Sequence, residues 1–223
     1  MIAPTLPDDE PQRLAELRAL QLLDTPPEER FDRITRIAAR VFEAPIAYIA
    51  LIDSDRQWFK SVCGLTEDST SRAVSFCGHT ILHNRPLIIS DAQQDERFAD
   101  NPMVTGEPYI RFYAGYPLRG PRGHAVGTLC IADRVPRPAD DLALETFGEL
   151  AQLAEHELGM FDLISTQRQL LDAQSALLKT QEQLANELRN AAEYVGTLLP
   201  QPMTVNGARF EARGVRRGHA RRA

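Results

Sequence analysis

Cys77 is the residue best placed to react in this sequence. It stands two positions past Ser75, whose hydroxyl suits a helix N-cap. The thiol then feels the positive end of the helix dipole, which lowers its pKa and favours the nucleophilic thiolate. A redox sensor or a thiol enzyme is built on such a cysteine, although a free buried cysteine is also an ordinary small apolar filler. No sequence feature singles out an attacking and a resolving thiol. His79 and His83, four apart, would share one face of the same short helix, where a metal or the edge of a haem could bind. That spacing is common, and Thr80 stands where a zinc-protease helix carries Glu, so no metal site is assigned and His79 is read as lining a pocket. Trp58, Phe59, Phe98, Phe112 and Tyr113, with Asp91 and Arg111 between them, supply the aromatic walls and few polar groups that small-molecule pockets use. No catalytic residue is assigned, and the ligand is unidentified.

These residues need a frame to bring them together. Phe31, Ile34, Ala38, Val41 and Phe42 recur at helical spacing over 28–43, preceded by a stripe of Leu14, Leu17 and Leu20 in a helix beginning at Arg13. Asp24-Thr25-Pro26-Pro27 separates the two. The run Ile46–Ile52, too short for a good helix and apolar at every position, predicts a central strand. Gln57–Val62 predicts its hairpin partner with one wetter face. A short helix from Ser75 to about Leu82, a strand at Leu87–Ser90 and a long loop over 91–111 with one helical turn at Glu96–Ala99 follow. Arg111–Leu118 and Ala125–Ala132 flank a glycine-rich turn, and from Asp140 the chain is helical for about sixty residues. Hairpin-joined strands predict an α+β fold: a central antiparallel sheet with helices mainly on one side, followed by a long C-terminal helix.

With 223 residues and 43% hydrophobic content, the chain holds one good core and an appendage. The longest apolar run is far below the ~18–20 residues that cross a bilayer, so no membrane partner is expected. Met1-Ile2-Ala3-Pro4 lacks the basic start and apolar stretch of a secretory signal, and Cys63, Cys77 and Cys130 are odd in number and widely spaced. A cytoplasmic protein with free thiols is the expectation. The net charge of −6 hides an asymmetry: six Arg and one Glu lie in 207–223, which leaves −11 before them. An acidic body makes nucleic acid an unexpected partner.

The ordered segments Leu23-Leu-Asp-Thr-Pro-Pro-Glu-Glu-Arg-Phe-Asp32, Asp55-Arg-Gln-Trp-Phe-Lys60, Ser75-Phe-Cys-Gly-His79 and Gly127-Thr-Leu-Cys-Ile131 resemble bacterial GAF domains over about 13–156. The resemblance implies the GAF fold and a sensory role, with cyclic nucleotides, bilins, haem or other metabolites held between the sheet and a lid of loops. A bilin is not expected, because its anchoring Cys-His pair would precede the Phe112 strand, and 91–111 contains neither residue. The alternative the resemblance offers is a GAF-type methionine sulfoxide reductase using Cys77. His156-Glu157-Leu158 resembles the histidine-kinase phosphoacceptor but lacks the Arg and Pro that continue it.

From Leu163 a seven-residue repeat is legible. Leu163, Leu170, Leu177, Leu184, Ala191 and Leu198 form one column, with Gln167, Gln174, Gln181, Leu188 and Val195 between them. This is a coiled-coil seam, and Ile164, Leu171, Leu178, Ala185, Ala192 and Leu199 broaden its stripe. The simplest partner is a second copy, giving a homodimer through 157–199 whose buried Gln layers set register. Ala191-Ala-Glu-Tyr-Val-Gly-Thr-Leu-Leu-Pro-Gln-Pro202, with Phe210, resembles the opening of PPM-type (SpoIIE-like) serine/threonine phosphatase domains, which bind manganese or magnesium through later aspartates. No Asp follows Glu211, so no enzyme activity is expected of this chain. The expected divisions are a disordered leader (1–12), the sensory domain (13–156), the signalling helix (157–199), and a truncated phosphatase start or disordered basic tail (200–223).

Overall fold

The computed structural model describes the backbone of residues 1–139, 143–198, 204–205 and 208–209, and the side chains of these except 161–166, 168, 169, 204, 205, 208 and 209. Helix α1 (Glu10–Ala19), opened by a proline in its first turn, leads to α2 (Glu29–Val41). Strands β1 (Ile46–Ile52), β2 (Arg56–Cys63) and β3 (Ser69–Ser71) form a meander. Helix α3 (Phe76–Thr80), strand β4 (Leu87–Ile89), helix α4 (Pro102–Thr105), β5 (Phe112–Arg119) and β6 (Ala125–Asp133) follow, then the long helix α5 (Leu144–Leu198). The six strands make one sheet in the order β3-β2-β1-β6-β5-β4, every pair antiparallel. The predicted α+β layer is the observed one. Thr204–Val205 also pairs with Ala208–Arg209.

Strand β1 shows how the apolar pattern builds two layers. Ala47, Ile49 and Leu51 face a core made with α1, α2 and Phe147, Leu150, Ala151, Ala154 and Leu158 of α5; Ile46, Tyr48, Ala50 and Ile52 face a second core under α3 and the 91–111 segment. Both faces are covered, which is why β1 is apolar at nearly every position. The long helices lie on one face and the short ones on the other.

Three expectations differ from the structure. The wetter face predicted for β2 is dry: Gln57, Lys60 and Ser61 are buried. A bulge, with Ile49 opposite Ser61 but Ala50 opposite Phe59, leaves Lys60 unpaired in the ladder. The Lys60 ammonium reaches Glu28 at 2.6 Å, Thr25 Oγ1 at 2.7 Å and the Pro26 carbonyl at 2.9 Å, while Ser61 Oγ donates to Asp32 at 2.7 Å. Partners on the α2 side replace water. The leader is also ordered rather than loose. The Ile2 N–H donates to the Arg97 carbonyl at 3.0 Å, and Glu10 begins α1 buried between Arg13 and Arg72. Proline-rich composition argued for disorder, but a carboxylate with two guanidinium partners is held. Within the 91–111 loop, α4 was not foreseen; Asn101 caps it, accepting from the Met103 N–H at 2.9 Å and donating to the Val74 carbonyl at 2.9 Å.

Two compact units divide the chain, Met1–Gln167 and Arg168–Ala223. In the second, Leu170, Leu177, Leu184, Leu188, Val195 and Leu198 are 55–67% exposed, as are Leu171 and Leu178 at 55%. The side chains of Leu163 and Ile164 lie outside the described residues, as do Leu199 and most of the basic tail. No helix among the described residues is long and apolar enough to cross a membrane.

Candidate functional site

Three adjacent strands and one short helix deliver a polar cluster into the second core. Tyr48 of β1 and Gly115 of β5 both stand opposite Cys130 of β6. Gly115 is required by what lies over it: a Cβ there would overlap the Tyr113 hydroxyl and press on Thr80 Oγ1. Above the sheet, Ser75 caps α3, its Oγ accepting from the Gly78 N–H at 2.9 Å and donating to Gln57 Oε1 at 2.5 Å. That cap aims Cys77 down at the strands. Cys77 Sγ lies 3.5 Å from Cys130 Sγ, 3.6 Å from Tyr113 Oη and 3.7 Å from Tyr48 Oη. Tyr113 Oη is 3.2 Å from Cys130 Sγ and 2.8 Å from Thr80 Oγ1, and the Cys130 thiol donates to Thr128 Oγ1 at 3.0 Å.

This cluster is dry, and its electrostatics follow from that. Burial alone would push the Cys77 thiol up; its hydrogen bonds with Cys130, Thr128, Tyr113 and Tyr48 outweigh it and hold the group at about 7. Burial, and then the hydrogen bond and charge of Cys77, push Cys130 well above its ordinary value. Tyr48 and Tyr113 are raised chiefly by burial. Cys77 is fully buried, so its thiol does not meet a substrate in this arrangement.

The cover over α3 is the N-terminal segment. His79, 7% exposed, shares a 3.0 Å hydrogen bond between its Nε2 and the Ile2 carbonyl, and the Pro4 ring packs on Gly78. Burial lowers the His79 imidazole below its ordinary value, so it donates to that carbonyl as a neutral ring. Phe98 stacks on Phe76 with centroids 4.1 Å apart and meets the His79 ring edge-on at 4.9 Å. A cavity of ≈ 390 Å³ opens beside this cover, between Thr5–Asp9, Leu82, Asn84 and Arg119.

Of the expected pocket residues, Phe59, Cys77, His79, Phe98 and Tyr113 come together on this face. Trp58 and Phe112 do not: strand alternation sends both into the opposite core, where Lys60 lies near the Trp58 ring and Arg137 over Phe112. Asp91 and Arg111 form a two-pronged ion pair, both contacts 2.8 Å, in which the guanidinium holds the carboxyl below its usual range. Tyr48, Thr80, Thr128 and Cys130 belong to the cluster and were missed by sequence reasoning. The signal for Tyr48, Thr128 and Cys130 lay in the β1 alternation and in the Gly127–Ile131 segment, but cross-strand register is what makes Tyr48 and Cys130 neighbours, and the packing of α3 on the sheet is what adds Thr80. No three His, Cys, Asp or Glu side chains among the described residues converge as metal ligands.

A cyclic di-GMP phosphodiesterase of Pseudomonas aeruginosa is 42% identical over 162 residues, which is 71% of this chain but 28% of that protein. The chain therefore spans less than a third of the relative's length. Among solved structures, free methionine-R-sulfoxide reductase from Neisseria meningitidis, in complex with its substrate, superposes with a TM-score of 0.50 at 14% identity, covering 74% of this chain and 98% of that one. The GAF domain from an Acinetobacter phosphoenolpyruvate-protein phosphotransferase has a TM-score of 0.49 at 20% identity, covering 66% and 92%. The sequence profile of the GAF domain matches residues 26–158, from the turn before α2 to the buried Leu158 of α5, so the sheet and its two cores make this chain a member of the GAF domain family.

Proposed function

We propose that the chain is the sensory module of a signalling protein. A small molecule is taken up at the Phe59–Cys77–His79–Phe98–Tyr113 face when its N-terminal cover lifts, and its presence is read out through the pairing of α5 with α5 of a second copy. The observation that carries this reading is the exposed apolar stripe on α5, at 55–67% for the six described seam residues. Covering such side chains is worth ~1–2 kcal/mol each, or on the order of 10–20 kcal/mol for a pair of helices. That is enough to offset an association cost of ~4–15 kcal/mol. Gln174 and Gln181 within the seam weaken it locally, which leaves a packing that a ligand can bias through differential affinity for its two states.

The output proposed for the sensor is a phosphoester hydrolase. The 191–202 segment points to a PPM-type phosphatase, and the Pseudomonas aeruginosa relative joins a similar region to a protein named as a phosphodiesterase. Three free thiols suit a reducing compartment, so the proposed setting is the cytoplasm. Light scattering on a Leu170→Glu/Leu177→Glu variant tests the pairing. We expect a wild-type dimer and a monomeric variant with unchanged circular dichroism in the sensory unit; a variant that stays dimeric contradicts the seam.

A further inference from the structure

Cys77 and Cys130 are fully buried, belong to different elements, and bring their sulfurs to 3.5 Å. A disulfide needs about 2.05 Å between sulfurs. The remaining gap of about 1.5 Å is within the travel of a thiol sulfur turning about χ1. The groups around them are unequal in a useful way. Cys77 has a donor that steadies a thiolate, Tyr113 Oη at 3.6 Å, whereas the Cys130 thiol donates its one proton in a hydrogen bond to Thr128 Oγ1 at 3.0 Å. Cys63, the third thiol, is half-exposed on β2 and takes no part in the cluster.

We infer that Cys77 and Cys130 are a redox couple, closing to an internal disulfide when the protein meets a peroxide and reopening with a thiol reductant. Cys77 gives up its proton, and the thiolate attacks one peroxide oxygen; the O–O bond breaks, an S–O bond forms, and the other oxygen leaves as hydroxide that takes up the proton Cys77 released, giving water. Cys130 sulfur then attacks Cys77 sulfur. The S–O bond breaks, the hydroxide leaves with the Cys130 proton as a second water, and the S–S bond remains. Two thiols lose two electrons in total, and one hydrogen peroxide becomes two waters. A molecule as small as peroxide reaches the pair when the Ile2–Pro4 cover lifts, which costs the Ile2 hydrogen bonds to Arg97 and His79 and the Pro4 contact on Gly78. The bond would tie α3 to β6 in the wall of the proposed ligand face. Its regulatory use rests on the sensory reading above, but its chemistry does not.

The full chain is treated with hydrogen peroxide, quenched, denatured, alkylated with iodoacetamide and digested for mass spectrometry. The expected result is that Cys77 and Cys130 lose their adducts together and appear as one linked peptide pair, which dithiothreitol separates. In Cys130→Ser, Cys77 stops as a sulfenic acid that dimedone captures. The inference is wrong if both thiols keep their adducts at every peroxide concentration that leaves the chain folded, or if Cys77 links to Cys63 instead. Because wild-type protein gives the deciding result, a poorly folding variant does not blunt it. The readout is independent of oligomeric state, so a failed dimer and a failed couple are told apart.

Discussion

Glu10 is held by two guanidiniums, that of Arg13 within its own helix and that of Arg72 in the turn before α3, which ties the first helix to that turn. Arg13 Nε and Nη2 donate to its carboxylate at 2.7 and 2.9 Å, and Arg72 Nη1 and Nη2 at 2.5 and 3.1 Å. Burial would raise this carboxyl, but Arg13 and Arg72 outweigh it and bring it from 4.5 to about 2. The folded-state pKa is depressed, so the stabilisation is complete above the ordinary value and is lost as pH falls through 4.5 towards 2. Linkage puts the whole at about 3 kcal/mol, with about 2 kcal/mol gone by about pH 3. Urea unfolding at about pH 6 and about pH 3 should show this loss in the wild type and not in Glu10→Gln, which starts lower because two buried guanidiniums lose their counter-charge. Equal acid sensitivity in both proteins contradicts the network. Ser75 and Cys77 could be placed from the sequence because capping is local chemistry. Glu10–Arg72 could not, since the two residues lie far apart in the chain and meet only once the sheet has formed.

At the scale of elements, periodicity located β1, β2, β4, β5, β6, α2 and α5 to within a few residues, because each has an apolar face to bury. It missed α4 and β3, which are too short to show a period, and the β2 bulge, which puts Lys60 and Ser61 on the helix side of the sheet. Strand alternation explains the misplaced part of the pocket: Trp58 and Phe59 are neighbours in sequence and belong to opposite cores. Gly115 illustrates what register adds to pattern. In β5 it looks like a weakness in a strand, yet it is the gap through which the Tyr113 hydroxyl reaches Thr80 and Cys130. Gly115→Ala should cost about 1–3 kcal/mol through forced displacement of that ring. An unchanged urea midpoint would show that the cluster has slack the structure does not suggest.

For the whole molecule, a sheet with both faces buried provides a rigid floor, and Leu158, buried in the domain's core, lies on the same helix that continues to Leu198. In the proposed sensor, a change at the Cys77–His79 face travels outward through the sheet to the packing of α5 on its other side. Beyond the domain that helix presents apolar columns to solvent, an arrangement a single chain does not leave uncovered. The central claim is that two copies cover each other there. Sedimentation equilibrium of the 223-residue chain at micromolar concentration tests it most directly: the account predicts twice the chain mass of 24.9 kDa, and a single species at 24.9 kDa across the concentration range would contradict it.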